Sequence, residues 1–435
     1  MGNGLHPRQE PSAPGHLRGL SIAVVGLGYV GLPTAIAFSA KGCAVTGIDI
    51  NPDRRLAIEQ RDVDIDERDL ERLGPALETA RLVVTGDPSP LMLADVVVIC
   101  VPTPIDEHKV PDLRALRNAC ASVVEHAHAG QLLILTSTSY VGTTRELLVE
   151  GLEARGLVPG IDLNVAFCPE RIDPGNPVHA RIGATRVIGG VTPACSRRAA
   201  EAMGEIAPDV HIVSSPEAAE MSKLLENTFR AVNIAFVNEI ADVCSQLGLD
   251  TCEVLDAAKT KPYGFMPFLP GPGAGGHCIP CDPHYLLWQL RSEHVTAPVI
   301  ESAMVELARR PGRVTERLAG LLFDVGLGVR SAHVVVIGVT YKPGVADVRE
   351  SPALLIMEDL LRRGAHVSYV DARVPTVQLP DGTIVEASPI GVVNGATAVL
   401  VHTLDESADL SPLADVPIVL DATYKLTGVP HRFLL

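Results

Sequence analysis

The chain has 435 residues, with 36 Lys and Arg against 52 Asp and Glu, giving a net charge of −16 at neutral pH. That length suggests two or three domains with cores of their own, and 47% hydrophobic against 20% charged residues excludes an intrinsically disordered chain. The acidic total excludes nucleic acid and anionic membrane surfaces as main partners, since both attract a basic field.

Residues 1–17 are rich in Gly and Pro, lack the apolar segment of a signal peptide, and read as a flexible tail. No apolar run approaches the ~20 residues that cross a bilayer, so no membrane partner is expected. Nine cysteines, an odd number, fit free thiols in a reducing compartment and a cytoplasmic location.

From Leu20 to about Ser215, short β-branched runs alternate with helical stretches. Ser21–Val25, Ala44–Asp49, Val96–Val101, Leu132–Thr136 and Leu163–Cys168 read as buried strands of a parallel sheet, with crossover helices in Tyr29–Lys41 and Asp112–His126. This is an α/β doubly wound domain. Between its first strand and first helix stands Gly26-Leu-Gly28-Tyr29-Val30-Gly31. In this Gly-x-Gly-x-x-Gly pattern Gly26 permits the tight turn, Gly28 a close approach to a pyrophosphate, and Gly31 close helix–strand packing. Asp49 ends the next strand, where a carboxylate holds a ribose diol and repels a 2′-phosphate, so the spacing predicts NAD rather than NADP. A glycine turn that serves packing alone is the competing reading. Thr103, in Val101–Pro104, sits on a strand exit suited to the nicotinamide side or to simple stiffening by proline. Glu170 and Arg171 follow the strand that ends near Cys168, a suggestive place because ligands bind outside the carboxyl ends of parallel strands.

From Glu217 to about Leu247 the pattern becomes one long helix with no Pro or Gly. Lys223 and Asn227, at i and i+4, project from one face, and apolar Met221, Leu224, Leu225 and Phe229 suggest that this face is enclosed. An ammonium and a carboxamide there suit an alkoxide or oxyanion; a solvated face with a snorkelling lysine is the alternative.

The stretch Gly271-Pro-Gly-Ala-Gly275-Gly276-His-Cys278-Ile-Pro-Cys281-Asp282 follows. Gly275 and Gly276 let the backbone bend and a ligand come close to the adjacent thiol. Three readings compete for Cys278: a nucleophile, a small buried hydrophobe, or one half of a Cys-x-x-Cys redox pair or zinc site. No second Cys-x-x-Cys completes a zinc ribbon, and no metal is expected. A thioredoxin-like role wants the motif opening a helix after a strand, whereas here it follows a glycine loop.

Helix continues to about Arg310, and Pro311–Gly312 and Gly326–Gly328 bracket the next one. Val334–Gly338, Val367–Asp371, Ala398–His402 and Ile418–Asp421 then predict a second α/β unit. Lys342 and Arg349 follow its first strand near a helix N-terminus, an arrangement suited to a diphosphate or to a charged surface loop.

In this order the motifs GLGYVGLP (26–33), CVPTP (100–104), STSYVGTT (137–144), CPERIDPG (168–175), AEMSKLLENTFRAVNIAFVNE (219–239), GAGGHCIPCDP (273–283) and YKPGVADVRESPA (341–353) resemble the nucleotide-sugar 6-dehydrogenase family. That family includes UDP-glucose and UDP-N-acetylhexosamine dehydrogenases, and the resemblance runs from about Gly19 to Leu435. It implies two Rossmann-like parallel-sheet domains joined by a long central helix: an NAD-binding domain at 18–215, a central helical, dimerising and catalytic segment at 216–312, and a UDP-sugar-binding domain at 313–435. It implies a homodimer or higher homo-oligomer serving polysaccharide or glycoside biosynthesis. It also implies a four-electron oxidation, alcohol to aldehyde to carboxylate, with two NAD reduced per sugar. By motif position Cys278 attacks the aldehyde, Lys223 and Asn227 stabilise the oxyanion, Asp282 assists as a base, and Thr138 and Glu170 position water. Tyr29, Val30 and Thr103 join the glycines and Asp49 around NAD, while Glu170, Arg171, Lys223, Gly275, Gly276, Lys342 and Arg349 contact the UDP-sugar.

Three positions depart from the family pattern, one of them Cys281 beside Cys278, which leaves open oxidative inactivation through a disulfide. Tyr140 replaces a proline beside the nicotinamide, and Pro262 stands where glucose-specific members carry Arg, with Lys259 and Lys261 nearby. The GGHCIPxDPxYLxW form is closer to the UDP-N-acetylhexosamine branch, with UDP-glucose as the alternative substrate. A β-hydroxyacid-type dehydrogenase, which needs no nucleophilic cysteine, and a non-catalytic NAD-binding redox sensor are the more distant readings.

Overall fold

A computed structural model describes residues 19–171, 183–276, 278–405 and 408–435. The tail expected at 1–17, the end of the 168–175 motif and His277 lie outside the described residues. Contacts divide the chain into two units, Met1–Pro104 with Pro111–Lys223, and Ile105–Val110 with Leu224–Leu435. Among the described residues no helix is long and apolar enough to cross a membrane.

The first unit is built on β1 (Ser21–Val25), β2 (Ala44–Ile48), β3 (Leu82–Thr85), β4 (Val96–Ile99), β5 (Leu132–Leu135), β6 (Asn164–Phe167), β7 (Arg186–Gly190) and β8 (Val210–Val213). Their order is β3-β2-β1-β4-β5-β6-β7-β8, parallel throughout except for the antiparallel β6–β7 pair. Strands β4 (VVVI) and β5 (LLIL) are apolar at every position because helices cover both sheet faces. The five expected strands are present, most of them ending a residue or two early where the chain leaves the ladder. The sequence reading had not singled out β3, β7 and β8. β3 and β8 are part-exposed, and β7 holds two glycines, so each shows a shorter apolar run than β4 or β5. The strand order reverses between β1 and β4, which makes the crevice at their carboxyl ends the topological switch point.

The long helix runs over Pro216–Leu247, 32 residues, or ~48 Å at ~1.5 Å per residue. The face that carries Lys223 and Asn227 is enclosed as expected, with Leu224 buried beside them, though the other apolar neighbours are not part of that enclosure. Lys223 and Asn227 are buried together with Glu220, Thr228 and Asn238, whereas Met221, Leu225 and Phe229 are exposed. Leu224, Ala231, Ala235, Val237 and Ala241 are buried as well, so the helix turns both polar and apolar side chains inward, and Glu220, Lys223, Asn227 and Asn238 each make a hydrogen bond there.

In the second unit β9 (His333–Ile337), β10 (His366–Val370), β13 (Ala398–Val401), β14 (Val419–Asp421) and β15 (Arg432–Leu434) form a parallel sheet ordered β10-β9-β13-β14-β15. β11 (Thr376–Gln378) and β12 (Ile384–Glu386) make a separate antiparallel hairpin. The helix break expected at Pro311–Gly312 is absent, since one helix runs over Pro298–Asp324. A proline inside a helix forfeits one backbone hydrogen bond and costs ~3 kcal/mol. Here the buried stripe Leu307, Pro311, Val314, Leu318 and Leu322 continues across it, and burial on both sides outweighs that loss.

Asp421, fully buried at the end of β14, accepts from the Thr423 and Leu426 N–H groups, the Thr423 hydroxyl and the Arg432 guanidinium of β15. Asp421→Ala leaves that guanidinium without its anion and should cost about 3–5 kcal/mol. A lowered urea midpoint for the C-terminal unit would show it, and an unchanged midpoint would refute it.

Candidate active site

The glycine loop after β1 carries the features a dinucleotide needs. Gly26 has φ +87°, and a Cβ there would lie 2.7 Å from the Cys100 carbonyl oxygen. A Cβ on Gly31 would lie 1.8 Å from the Gly26 oxygen, so the helix Gly31–Ala40 starts in contact with the turn. Gly28 has nothing within 4 Å of its Cβ position, leaving its backbone open to a pyrophosphate. Asp49 accepts from the Leu27 N–H at 2.8 Å and the Asn51 N–H at 2.9 Å, which fixes the carboxylate beside the loop. The Arg54 Nε holds the Leu27 oxygen from the other side at 2.8 Å. Tyr29 donates its phenol to Asp64, Val30 forms the N-cap of the helix, and Thr103 is buried. These residues fit NAD.

The motifs after β4, β5 and β6 stand side by side because their strands do. Ser137 Oγ donates to the Val101 oxygen at 2.8 Å, joining the CVPTP and STSYVGTT loops; Thr138, the next residue, is half-buried. Glu220 on the long helix accepts from the Gly142 N–H at 2.6 Å, the Thr144 N–H at 2.9 Å and the Thr144 hydroxyl at 2.6 Å. Burial pushes the Glu220 carboxyl above its ordinary pKa, while these three bonds oppose the shift.

Lys223 is buried, and its Nζ donates to the Glu170 main-chain oxygen at 2.8 Å. The Glu170 carboxylate, also buried, receives the Arg186 guanidinium and, at 2.7 Å, the Arg171 N–H. Burial works against the charge of Arg186, but Glu170 outweighs it and lifts the guanidinium above its usual value. The sequence reading had missed Arg186, because it lies on β7, a strand with no apolar signature. Arg171 sends its guanidinium to the Thr185 oxygen at 2.8 Å.

In the second unit the buried Asn227 amide donates to Asp282 Oδ2 at 2.5 Å. Asp282, 2% exposed, is the first residue of the helix Asp282–Ser292, and its N–H donates to the Cys278 oxygen at 2.9 Å. Cys278 is exposed and Cys281 buried, so the reading of Cys278 as a buried hydrophobe is set aside. The Gly276 N–H donates to the Arg349 oxygen at 2.9 Å. A Cβ on Gly275 would meet Tyr341 Cβ at 2.7 Å and the Glu350 oxygen at 2.8 Å, and one on Gly276 the Tyr341 ring at 2.8 Å. The two glycines therefore admit the Tyr341–Pro352 loop. Arg349 is held by Asp347 through a bidentate pair, with N–O distances of 2.6–3.0 Å, and Lys342 lies half-buried at the start of the same loop. Lys109, from the short Ile105–Val110 segment, pairs with Glu350 at 3.8 Å.

Comparison with known proteins settles the family. Residues 20–206, 217–306 and 335–424 match, in turn, the NAD binding, central and UDP binding domains of the UDP-glucose/GDP-mannose dehydrogenase family. The chain belongs to that family. It is an NAD-dependent nucleotide-sugar dehydrogenase. It is 36% identical over 346 residues to UDP-N-acetyl-D-mannosamine dehydrogenase of Yersinia pestis, covering 77% of this chain and 81% of that protein. It is 34% identical over 351 residues to NDP-N-acetyl-D-galactosaminuronic acid dehydrogenase of Ralstonia solanacearum, covering 79% and 80%. Among solved structures, UDP-D-ManNAc dehydrogenase of Pyrococcus horikoshii matches with a TM-score of 0.85 at 31% identity, over 95% of this chain and 98% of that one. A UDP-glucose dehydrogenase of Pyrobaculum islandicum matches with 0.83 at 25%, over 98% of each.

Asp49 gives this dehydrogenase a direct test. If Asp49 is also the acceptor for a ribose diol, Asp49→Ala removes both that contact and the loop anchor, each a charged hydrogen bond of about 1.5–3 kcal/mol. The KM for NAD should rise roughly 10- to 100-fold and the preference for NAD over NADP should fall, both read by steady-state kinetics. An unchanged NAD to NADP ratio would refute the role given to this carboxylate.

Proposed function

We propose that this dehydrogenase oxidises the 6-hydroxymethyl of a UDP-N-acetylhexosamine, of the gluco or manno series, to the carboxylate. The observation that carries the chemistry is the exposed Cys278 thiol one turn before buried Asp282, which Asn227 holds by its amide. The sugar class is supported by the relatives, whose names specify N-acetylated sugars, and by Pro262 in place of a glucose-type arginine.

In this reading Lys223 and Asn227, one helical turn apart, neutralise the alkoxide that forms at C6, and Asp282 takes its proton. Cys278 then adds to the aldehyde carbon, giving a thiohemiacetal whose oxidation leaves a thioester. NAD, held by Gly26, Gly28, Tyr29, Val30, Gly31, Asp49 and Thr103, supplies the hydride acceptor, two equivalents per sugar. Thr138 and Glu170 position the water that cleaves the thioester, and Arg186 holds the Glu170 carboxylate in place. Glu170, Arg171, Lys223, Gly275, Gly276, Lys342 and Arg349 are the residues that contact the UDP-sugar in this reading, with Lys342 and Arg349 as cations for the diphosphate. The functional segments are 18–215 for NAD, 216–312 for catalysis and dimerisation, and 313–435 for the nucleotide.

A UDP-glucose substrate is the second reading, favoured by the likeness to the Pyrobaculum islandicum enzyme. A homodimer is part of the proposal. Leu225, Phe229, Phe236, Val243 and Leu247 are 44–67% exposed at helical spacing on one face of the long helix, an apolar stripe of the kind an interface covers. The nine free cysteines suit work in the reducing cytoplasm.

With UDP-GlcNAc, UDP-ManNAc and UDP-glucose offered in parallel, an N-acetylated sugar should give the highest kcat/KM, two NADH per sugar and a uronate by mass spectrometry. One NADH per sugar without uronate would overturn the double oxidation. Cys278→Ser should lower uronate formation roughly a thousandfold or more. Leu225→Glu with Phe236→Glu should halve the mass seen by sedimentation, and an unchanged mass would sink the dimer face.

A further inference from the structure

The proposed chemistry uses Cys278 and leaves Cys281 without a role. Both thiols are free, the first exposed and the second buried. The Cys281 N–H donates to the Cys278 oxygen at 3.2 Å, so the two residues close a single turn. Cys281 is the N-cap of the helix Asp282–Ser292. The Cys-x-x-Cys thus lies in the turn just before a helix and, as expected, after a glycine loop rather than a strand, with its outer thiol exposed and its inner one covered. An i, i+3 turn at a helix N-terminus brings two cysteines within disulfide reach, as in dithiol oxidoreductases.

We infer that Cys278 and Cys281 form a redox pair in which a hydroperoxide oxidises Cys278 and Cys281 converts the product into an internal disulfide. The Cys278 thiolate attacks the terminal peroxide oxygen, the O–O bond breaks, and an alcohol leaves with a proton from water, giving a sulfenic acid. The Cys281 sulfur then attacks that sulfur as its own proton departs, hydroxide leaves as water, and the S–S bond forms. The two sulfurs have together given up two electrons to the peroxide. The order follows from the surroundings. Burial, with Asp282, Glu350 and the Cys278 charge, pushes the Cys281 thiol up to about 12 against the pull of Lys109, so it stays protonated and covered until Cys278 has reacted. A small thiol reductant reverses the link by exchange and restores Cys278.

The link blocks turnover only if Cys278 is the nucleophile proposed above; its formation does not depend on that reading. The full chain would be exposed to hydrogen peroxide, capped with N-ethylmaleimide and examined by peptide mass spectrometry without reduction, with turnover read before and after dithiothreitol. A peptide linked through 278 and 281, with most turnover lost and then regained on reduction, is expected. In Cys281→Ser and Cys281→Val, each compared with its own reduced activity, the loss should become irreversible and Cys278 should advance to the sulfinic acid. Sulfinic acid at Cys278 in the native protein, formed as fast as in the variants and with no linked peptide, would overturn the pair; the native protein alone decides this if a variant fails to fold. A linked peptide with full turnover would support the pair and reject Cys278 as the nucleophile.

Discussion

The inward face of the helix Pro216–Leu247 is the constraint on which the candidate site depends. Its buried column holds Glu220, Lys223, Asn227 and Asn238, each of which closes a hydrogen bond to another part of the chain. Glu220 gathers the N–H groups of the 142–144 turn, Lys223 the Glu170 carbonyl, Asn227 the Asp282 carboxylate and Asn238 the Gly271 N–H. A buried polar group without a partner costs about 1–3 kcal/mol, so this face tolerates almost no rotation of the helix about its axis. Lys223 and Asn227, proposed above to meet the alkoxide, inherit that definition.

The electrostatics are local, and the overall acidity of the chain says little about them. A buried Glu170–Arg186 pair, a bidentate Asp347–Arg349 pair and the Asp421–Arg432 pair each satisfy their own charge. Such pairs contribute little net stability after desolvation, but they fix where a carboxylate or a guanidinium points. Glu170 shows the benefit: its side chain is fixed by Arg186 while its main-chain oxygen fixes Lys223.

Much of the framework was legible in the sequence because parallel strands buried on both faces leave continuous apolar runs. VVVI and LLIL are of this kind, and the Gly26–Gly31 turn announces itself by spacing. Arg186 and Glu220 were invisible, since nothing near them in sequence reveals that a β7 guanidinium meets a carboxylate on another loop, or that a helix carboxylate caps a distant turn. Pro311 misled for a related reason. Local backbone chemistry argues for a break, and the apolar stripe on both sides of the proline overrides it. The exposure of Met221, Leu225 and Phe229 on the long helix was hidden in the same way, because apolar residues at helical spacing do not say which of them meet a partner.

The close fit of Gly275 and Gly276 against Tyr341 and Glu350 bears on how such an enzyme can change. The thiol-bearing loop and the cation-bearing loop interlock at distances that no β-carbon permits, so neither can be exchanged alone. A chimaera that imports a new 341–352 segment must bring the matching 271–282 segment with it. Variation of the proposed nucleotide contacts would thereby be tied to the proposed thiol chemistry, and the two would be inherited as one module.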